Sequence, residues 1–154
     1  MAQTIFHGLD ELKAAVGTHV GYTDYVIITQ ERVNQFADAT GDHQWIHVDV
    51  ERAKKESPFG GPVAHGYLTL SLIPWLGGQL MSVAGVKMGV NYGLNKVRFM
   101  SPVAVGAKLR LGAKLLSVEE LPGGWVQSIV EFTLETEGST KPSCVSETIT
   151  RYLF

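Results

Sequence analysis

Two acidic residues and two histidines lie in one short segment, residues 42–49, which is predicted to be a loop between two short helices: Asp42, His43, His47 and Asp49. Carboxylates and imidazoles are the side chains most often used to move protons during a reaction. Asp42 and His47 stand beside Trp45 and Ile46, and apolar neighbours can bring the pKa of such groups into a working range. We therefore predict that Asp42 and His47 form an acid–base pair. Taken singly, each residue would also fit a helix cap, a surface group or a packing group.

A metal site is the alternative for the same segment. His43 and His47 have the spacing of two ligands on one helical turn. The glutamate of the H-E-x-x-H pattern is absent, however, and Gly41 argues against a continuous helix here. The sequence thus favours proton chemistry with no metal and no other cofactor.

A second candidate site lies at Ala64-His65-Gly66, just before an apolar run. The first backbone N–H groups of a helix have no partner inside the helix, and together with the helix dipole they favour negative charge. Gly66 would let the carbonyl of a ligand come close to its N–H. The alternative is that this glycine only permits tight packing, and we predict a structural role for His65. The chain lacks G-x-S-x-G, P-loop and G-x-G-x-x-G patterns, which argues against serine hydrolases, phosphate-binding loops and Rossmann domains.

The element that must position both sites is the segment 57–86, which contains no Asp, Glu, Lys or Arg. Apolar residues recur in it at every fourth position: Ala64, Leu68, Leu72, Leu76 and Leu80. That spacing predicts a long helix, and an apolar surface most of the way round predicts that the helix is buried. A membrane span is the competing interpretation. Polar residues, Pro74 and glycines interrupt the run before it reaches the ~20 apolar residues that a bilayer needs.

Strands are predicted after this helix, where apolar and polar residues alternate in segments 86–99, 107–118, 126–135 and 144–154. Short turns join them, which predicts an antiparallel sheet with the helix across its concave face. Before the helix we expect one strand, at residues 24–29. We also expect three short helices: one at residues 10–16, one that begins after the N-cap Thr29, and one that begins at Val50. The predicted fold class is α+β, with one domain over residues 1–154.

Composition narrows the functional classes. A net charge of -2 and the lack of a Lys/Arg cluster argue against nucleic acid as a partner. Cys144 is the single cysteine, which excludes a disulfide within the chain. The N-terminal residues show no signal peptide, so we expect a cytoplasmic protein that is not embedded in a membrane. Charged residues make up only 18%, and the sheet has exposed edges, so we expect a homodimer.

Taken together, these motifs resemble the MaoC-like, (R)-specific enoyl-CoA hydratase family of the hotdog fold. The resemblance runs from about Tyr22 to the C-terminus, and the order of the matching segments makes it specific. The segments are residues 36–42, residues 43–47 with Ala53, residues 64–68, residues 95–99 and residues 102–106. The resemblance implies a single hotdog domain, an antiparallel sheet wrapped around a long central helix.

The resemblance also implies an activity. Asp42 and His47 would hold a water and add it across a trans-2-enoyl thioester of CoA, giving a (3R)-3-hydroxyacyl-CoA. The Gly66 N–H would stabilise negative charge on the thioester oxygen. Trp45 and Tyr67 are candidates for the substrate pocket. Because a close pair titrates as a unit, the sequence does not say which of Asp42 and His47 is formally the base.

The chain departs from the family pattern Asp-x-Asn-Pro-aliphatic-His, because Gln44 and Trp45 occupy its middle positions. Pro74 corresponds to a serine that some members carry in the central helix. Two other functions stay open. A hotdog thioesterase would use the same helix N-terminus, and a non-catalytic acyl-CoA binding module would keep the fold with an inert Asp42/His47 pair.

Overall fold

The computed structural model describes residues 2–154. In chain order its elements are β1 (Thr4–Phe6), α1 (Leu9–Ala14), β2 (His19–Tyr22), β3 (Val26–Ile27), α2 (Gln30–Thr40), α3 (Trp45–Val48), α4 (Val50–Glu56), α5 (Gly66–Ser71), α6 (Ile73–Leu80), β4 (Met81–Val83), β5 (Met88–Arg98), β6 (Lys108–Leu121), β7 (Trp125–Thr136) and β8 (Cys144–Leu153).

The main sheet is antiparallel, as predicted, and runs in the order β2-β6-β7-β8-β5, with β3 also paired to β6. Its strands alternate as the sequence indicates. In β6 the side chains of Leu109, Leu111 and Leu115 are fully buried, whereas Lys108 and Lys114 face water. β5 lies beside β8 and not beside β6, which follows it in the chain. This placement puts β5 at one edge of the sheet.

Helices α5 and α6 pack against this sheet, so the α+β class is confirmed. Leu68, Leu72, Leu76 and Leu80 are buried in one apolar cluster with residues of β6 and β7. The fourfold spacing therefore marks the face of the helix that contacts the sheet.

The structure differs from the predicted long, buried helix in two respects. The helix is interrupted at Leu72, between α5 and α6, because Pro74 has no N–H to donate to the carbonyl one turn earlier. The opposite face is also open, since Tyr67 and Trp75 are exposed. Apolar composition alone could not show that one face lacks a cover within the chain.

The N-terminal half holds the site segment against this core. Thr29 caps α2 by accepting a hydrogen bond from the Arg32 N–H, and Gly41 ends the helix in the left-handed conformation that glycine favours. The predicted strand at 24–29 is reduced to the two residues of β3. The parallel β1–β4 pair and β2 were not predicted, because strands this short carry too few alternations. Within residues 2–154, no helix has the length and apolar character needed to cross a bilayer.

Candidate active site

His47 lies on the one-turn helix α3, where the sequence predicted a loop, and only 7% of its surface is exposed. Its Nδ1 is 2.7 Å from the backbone oxygen of Val63. A carbonyl can only accept, so Nδ1 carries the hydrogen, and in the neutral ring Nε2 keeps a free lone pair. The loop that precedes α5 thus sets the tautomer of His47, and that tautomer makes Nε2 available as a proton acceptor.

The surroundings of His47 favour this neutral form. Burial is the main cause that lowers the pKa of His47 below its usual value, and the neighbouring His65 acts in the same direction. The hydrogen bond to Val63 and the charge of Asp42 oppose the decrease in this pKa without reversing it. At neutral pH, His47 is therefore a base that can accept a proton.

Asp42 follows the Gly41 cap directly and is exposed to solvent. Its Oδ1 accepts a hydrogen bond of 3.2 Å from the backbone N–H of Gln44, which fixes the carboxylate at the start of the site segment. One carboxylate oxygen of Asp42, one ring nitrogen of His47 and one of His65 all lie within 4.8 Å of each other. With hydrogen bonds of about 2.8 Å, a single water can bridge two atoms at such a separation. The geometry therefore suits a water held between Asp42 and His47.

Gly66 is the first residue of α5, so its N–H has no carbonyl partner within the helix. Glycine also permits close packing here. A Cβ on residue 66 would lie only 3.2 Å from the ring of Phe99, closer than side chains normally approach. The packing alternative from the sequence is thus realised, and it coexists with a free N–H at the end of the helix.

The model for the family described as "MaoC like domain" matches residues 11–124. The chain belongs to the MaoC-like dehydratase family. The matched range includes α2, the Asp42 segment and both central helices.

Relatives and solved structures agree with this assignment. The chain is 56% identical over 148 residues to the 3-hydroxyacyl-thioester dehydratase Z of Mycobacterium tuberculosis, covering 96% of this chain and 97% of that protein. Among solved structures, it is similar to the monoamine oxidase regulatory protein of Archaeoglobus fulgius, with a TM-score of 0.79, 19% identity, and coverage of 100% of this chain and 99% of that one. It is also similar to the (R)-hydratase of A. caviae involved in PHA biosynthesis, with a TM-score of 0.70, 22% identity, and coverage of 88% and 94%. These structures show the shared hotdog fold. The relative that is 56% identical identifies this MaoC-like chain as an enzyme, a hydro-lyase.

The other histidine and the other acidic residue of the segment lie outside the pair. His43 is exposed, and its Nε2 lies 2.9 Å from Oδ1 of Asp38, a contact that raises the pKa of His43. Asp49 caps α4 by accepting a hydrogen bond of 3.0 Å from the Arg52 N–H. The predicted pair of Asp42 and His47 is therefore the combination that the fold brings together.

The histidine that lies next to the Asp42/His47 pair is His65, and not His43. Asp42, His47 and His65 supply a group of donor atoms close enough to approach one metal ion. The rings of His47 and His65 are stacked, however, with centroids 3.9 Å apart and planes inclined by 24°. Two imidazoles on one tetrahedral ion point their nitrogens at it from different directions, so binding would require this stack to open. The observed arrangement of the two histidines therefore suits ring stacking better than the binding of a metal ion.

Trp45 and Tyr67, the two pocket residues predicted from the sequence, are not among the residues that line the cavity beside Gly66. The guanidinium of Arg52 sits 4.2 Å from the centre of the Trp45 ring, and Tyr67 is 71% exposed. A cavity of about 300 Å³ beside Gly66 is lined by other side chains, among them Phe59 and Phe99. No local pattern could have revealed Phe99, because it reaches Gly66 from the far end of β5.

Proposed function

We propose that this protein catalyses the reversible (R)-specific hydration of trans-2-enoyl-CoA to (3R)-3-hydroxyacyl-CoA. The observation that carries the proposal is the tautomer of His47. Its Nδ1–H is committed to the Val63 carbonyl, so Nε2 is left as an acceptor. One ring nitrogen of His47 also lies within 4.8 Å of a carboxylate oxygen of Asp42, a separation that one water can bridge.

In the forward reaction, the Asp42/His47 pair holds one water over the β-carbon of the enoyl thioester. The water oxygen bonds to this carbon, and the pair takes one of the water protons. The electrons of the double bond move toward the thioester carbonyl and give an enolate. The pair then returns the proton to the α-carbon, so that the sum is the addition of one water.

Gly66 supports the charged intermediate. Enolate charge develops on the thioester oxygen, and a backbone N–H directed at that atom stabilises it. The Gly66 N–H is at the positive end of α5 and has no helical partner, so it fits this role. Oxygen binding at Gly66 and water binding at Asp42/His47 together place the β-carbon, and not the carbonyl carbon, next to the water.

The acyl part of the substrate fits the cavity of about 300 Å³ beside Gly66. Ile46, Phe59, Phe99 and Met100 give this cavity apolar walls suited to a hydrocarbon chain. Tyr67 packs edge-on to Phe99, which lines this cavity, with ring centroids 6.2 Å apart, and it remains our candidate for contact with the incoming substrate.

We also propose that the protein is a homodimer joined along β5. β5 pairs with β8 on one side, and among residues 2–154 its other side has no strand partner. Its apolar side chains Met88, Val90, Tyr92 and Leu94 are exposed, and Trp75 on α6 is exposed as well. A long apolar edge strand left open invites pairing with another copy. Two chains that pair their β5 edges would extend one sheet and bring the open faces of their central helices together.

The hydration proposal is tested with a trans-2-enoyl-CoA such as crotonyl-CoA. The absorbance of the conjugated enoyl thioester should fall, no free thiol should appear, and chiral analysis should give the (3R) product. Saturated acyl-CoA of the same length is the matched control and should not react. Thiol release from the saturated substrate with no loss of enoyl absorbance would support a thioesterase instead. Binding of both substrates without any reaction would support the non-catalytic module.

A further inference from the structure

His65 is a buried histidine for which the proposed reaction has no direct use. Only 2% of its surface is exposed, and its ring contacts two others. Phe36 packs at a tilt of 56° with centroids 4.9 Å apart, and His47 stacks on it with centroids 3.9 Å apart. A histidine enclosed in this way has a fixed ring plane, and it fixes the plane of the ring stacked on it.

The polar contacts of His65 reach the other half of the pair. Its Nε2 lies 3.0 Å from the backbone oxygen of Asp42, and since a carbonyl only accepts, Nε2–H is the donor. Its Nδ1 is buried with no hydrogen-bond partner among residues 2–154. An apolar ring would fill the same space without a buried unpaired nitrogen, so packing alone gives no reason for histidine at this position.

His65 also stands immediately before Gly66, as the residue that precedes α5. It therefore contacts His47 through its ring face and Asp42 through its Nε2–H, and it is covalently joined to Gly66. The structure shows no other side chain in residues 2–154 that stacks on His47.

We propose that His65 is a positioning residue that sets the separation and orientation of Asp42 and His47 and aligns both with the Gly66 N–H. This inference rests on the proposed hydration. His65 does not exchange protons with the substrate, and it acts through the two residues that do. Because it holds the catalytic pair and does not line the substrate cavity, its loss should lower kcat and leave KM unchanged.

Two substitutions separate the two contacts. His65→Gln can keep a donor for the Asp42 carbonyl while it removes the ring, and His65→Phe keeps a ring to stack on His47 while it removes the donor. A misplacement of reacting groups by ~1 Å can cost ~10²-fold in rate. We expect each variant to keep part of the alignment and to lose about tenfold in kcat, and His65→Ala to lose more than either. The matched control is His19→Phe, because His19 packs on Tyr22 at 4.8 Å and is not part of the site; its kcat should equal that of the unmodified protein.

A double-mutant cycle distinguishes positioning from a loss of stability. In a His47→Ala background, His65→Gln should lower the residual kcat by much less than tenfold, since the residue through which it acts is gone. Full additivity, or a fall in kcat that matches a fall in folded fraction by circular dichroism, would overturn the proposal. So would folded His65 variants with unchanged kcat.

If the His65 variants do not fold, Phe36→Leu loosens the packing around the same ring and keeps the hydrogen bond to Asp42. It should lower kcat with unchanged KM, and an unchanged kcat in this variant would overturn the proposal. Failure of the proposed function is distinguishable, since the unmodified protein would then show no hydration at all.

Discussion

The proposed catalytic corner and the β5 edge of this molecule differ in how far their side chains are held by contacts within the chain. In this catalytic corner, which comprises Asp42, His47, His65 and Gly66, contacts within the chain orient the two histidines and Asp42. Along β5, apolar side chains such as Val90 and Leu94 are exposed to solvent. The contrast agrees with our two proposals, that the chemistry is assembled within one chain and that a second copy completes the apolar edge.

We expect the largest loss of activity from substitutions in the proposed acid–base pair, Asp42 and His47. Asp42→Asn and His47→Ala should each lower kcat by ~10²–10⁴-fold, the usual contribution of a general acid or base. Because the two act as a unit, the double variant should be little worse than the worse single variant. Circular dichroism should show an intact fold. Retention of more than about a tenth of the activity in either single variant would remove that residue from the chemistry.

The Gly66 end of the catalytic corner should show the next largest effect. An added Cβ leans toward the helix N-terminus, where the thioester oxygen would bind, and it also presses on Phe99. We expect Gly66→Ala to lower kcat by about tenfold or more through misplaced substrate. Phe99→Ala relieves the packing, so the Gly66→Ala/Phe99→Ala variant is compared with Phe99→Ala alone. If glycine served only to accommodate Phe99, the two would be equally active.

A charge introduced at the β5 edge should weaken the proposed dimer and leave the catalytic corner intact. Val90→Arg would place like charges at a symmetric contact, and we expect a dimer weaker by at least about tenfold, or about 1.4 kcal/mol. Val16→Arg is the matched control, since both valines are 42% exposed and Val16 lies away from β5. Sedimentation velocity at micromolar concentration measures the change. A monomeric unmodified protein, or equal weakening by both variants, would contradict the β5 interface.

The pH dependence should report the buried base of the catalytic corner. Burial lowers the pKa of His47, so the acidic fall in kcat/KM should lie below the ordinary histidine value of ~6.5. The same shift acts on stability. Below ~6.5 the unfolded chain binds more protons than the folded chain, so the stability contributed by His47 is complete above that pH and is lost as the pH falls toward its folded pKa. A fall centred above ~6.5 would contradict a buried neutral His47.

The smallest loss of activity is expected at His43, which lies in the same segment as His47 but is exposed and not buried. Its contact with Asp38 is exposed on both sides, and such pairs contribute little. His43→Ala should change kcat by less than about twofold. A loss as large as that of His47→Ala, together with a rate that responds to added zinc, would favour the metal alternative.

Much of this structure could be predicted from local patterns. Strand alternation gave β6 and β7, and Thr29 with Gly41 gave the ends of α2. The Asp42/His47 pair could be proposed because both residues lie in one short segment. Whether these residues carry out the reaction is tested by the variants above.

The remaining features depend on contacts between residues far apart in the chain. The carbonyl of Val63, which is 16 positions away in the sequence, sets the tautomer of His47. Phe99, which directly follows β5, packs beside Gly66. Such contacts leave no periodic pattern in the sequence. The same holds for the placement of β5 beside β8, which depends on how the sheet closes and not on the residues of β5 alone.

The position of the attacking oxygen can be read directly by running the reaction in water enriched in ¹⁸O. If Asp42 and His47 hold the water over the β-carbon while Gly66 binds the thioester oxygen, the label will enter the 3-hydroxyl group of an intact 3-hydroxyacyl-CoA. The product of a His47→Ala reaction run for the same time should carry at most about a hundredth of that label. Label in a free carboxylate, with release of CoA thiol, would show that the water attacks the carbonyl carbon and would contradict the hydratase geometry.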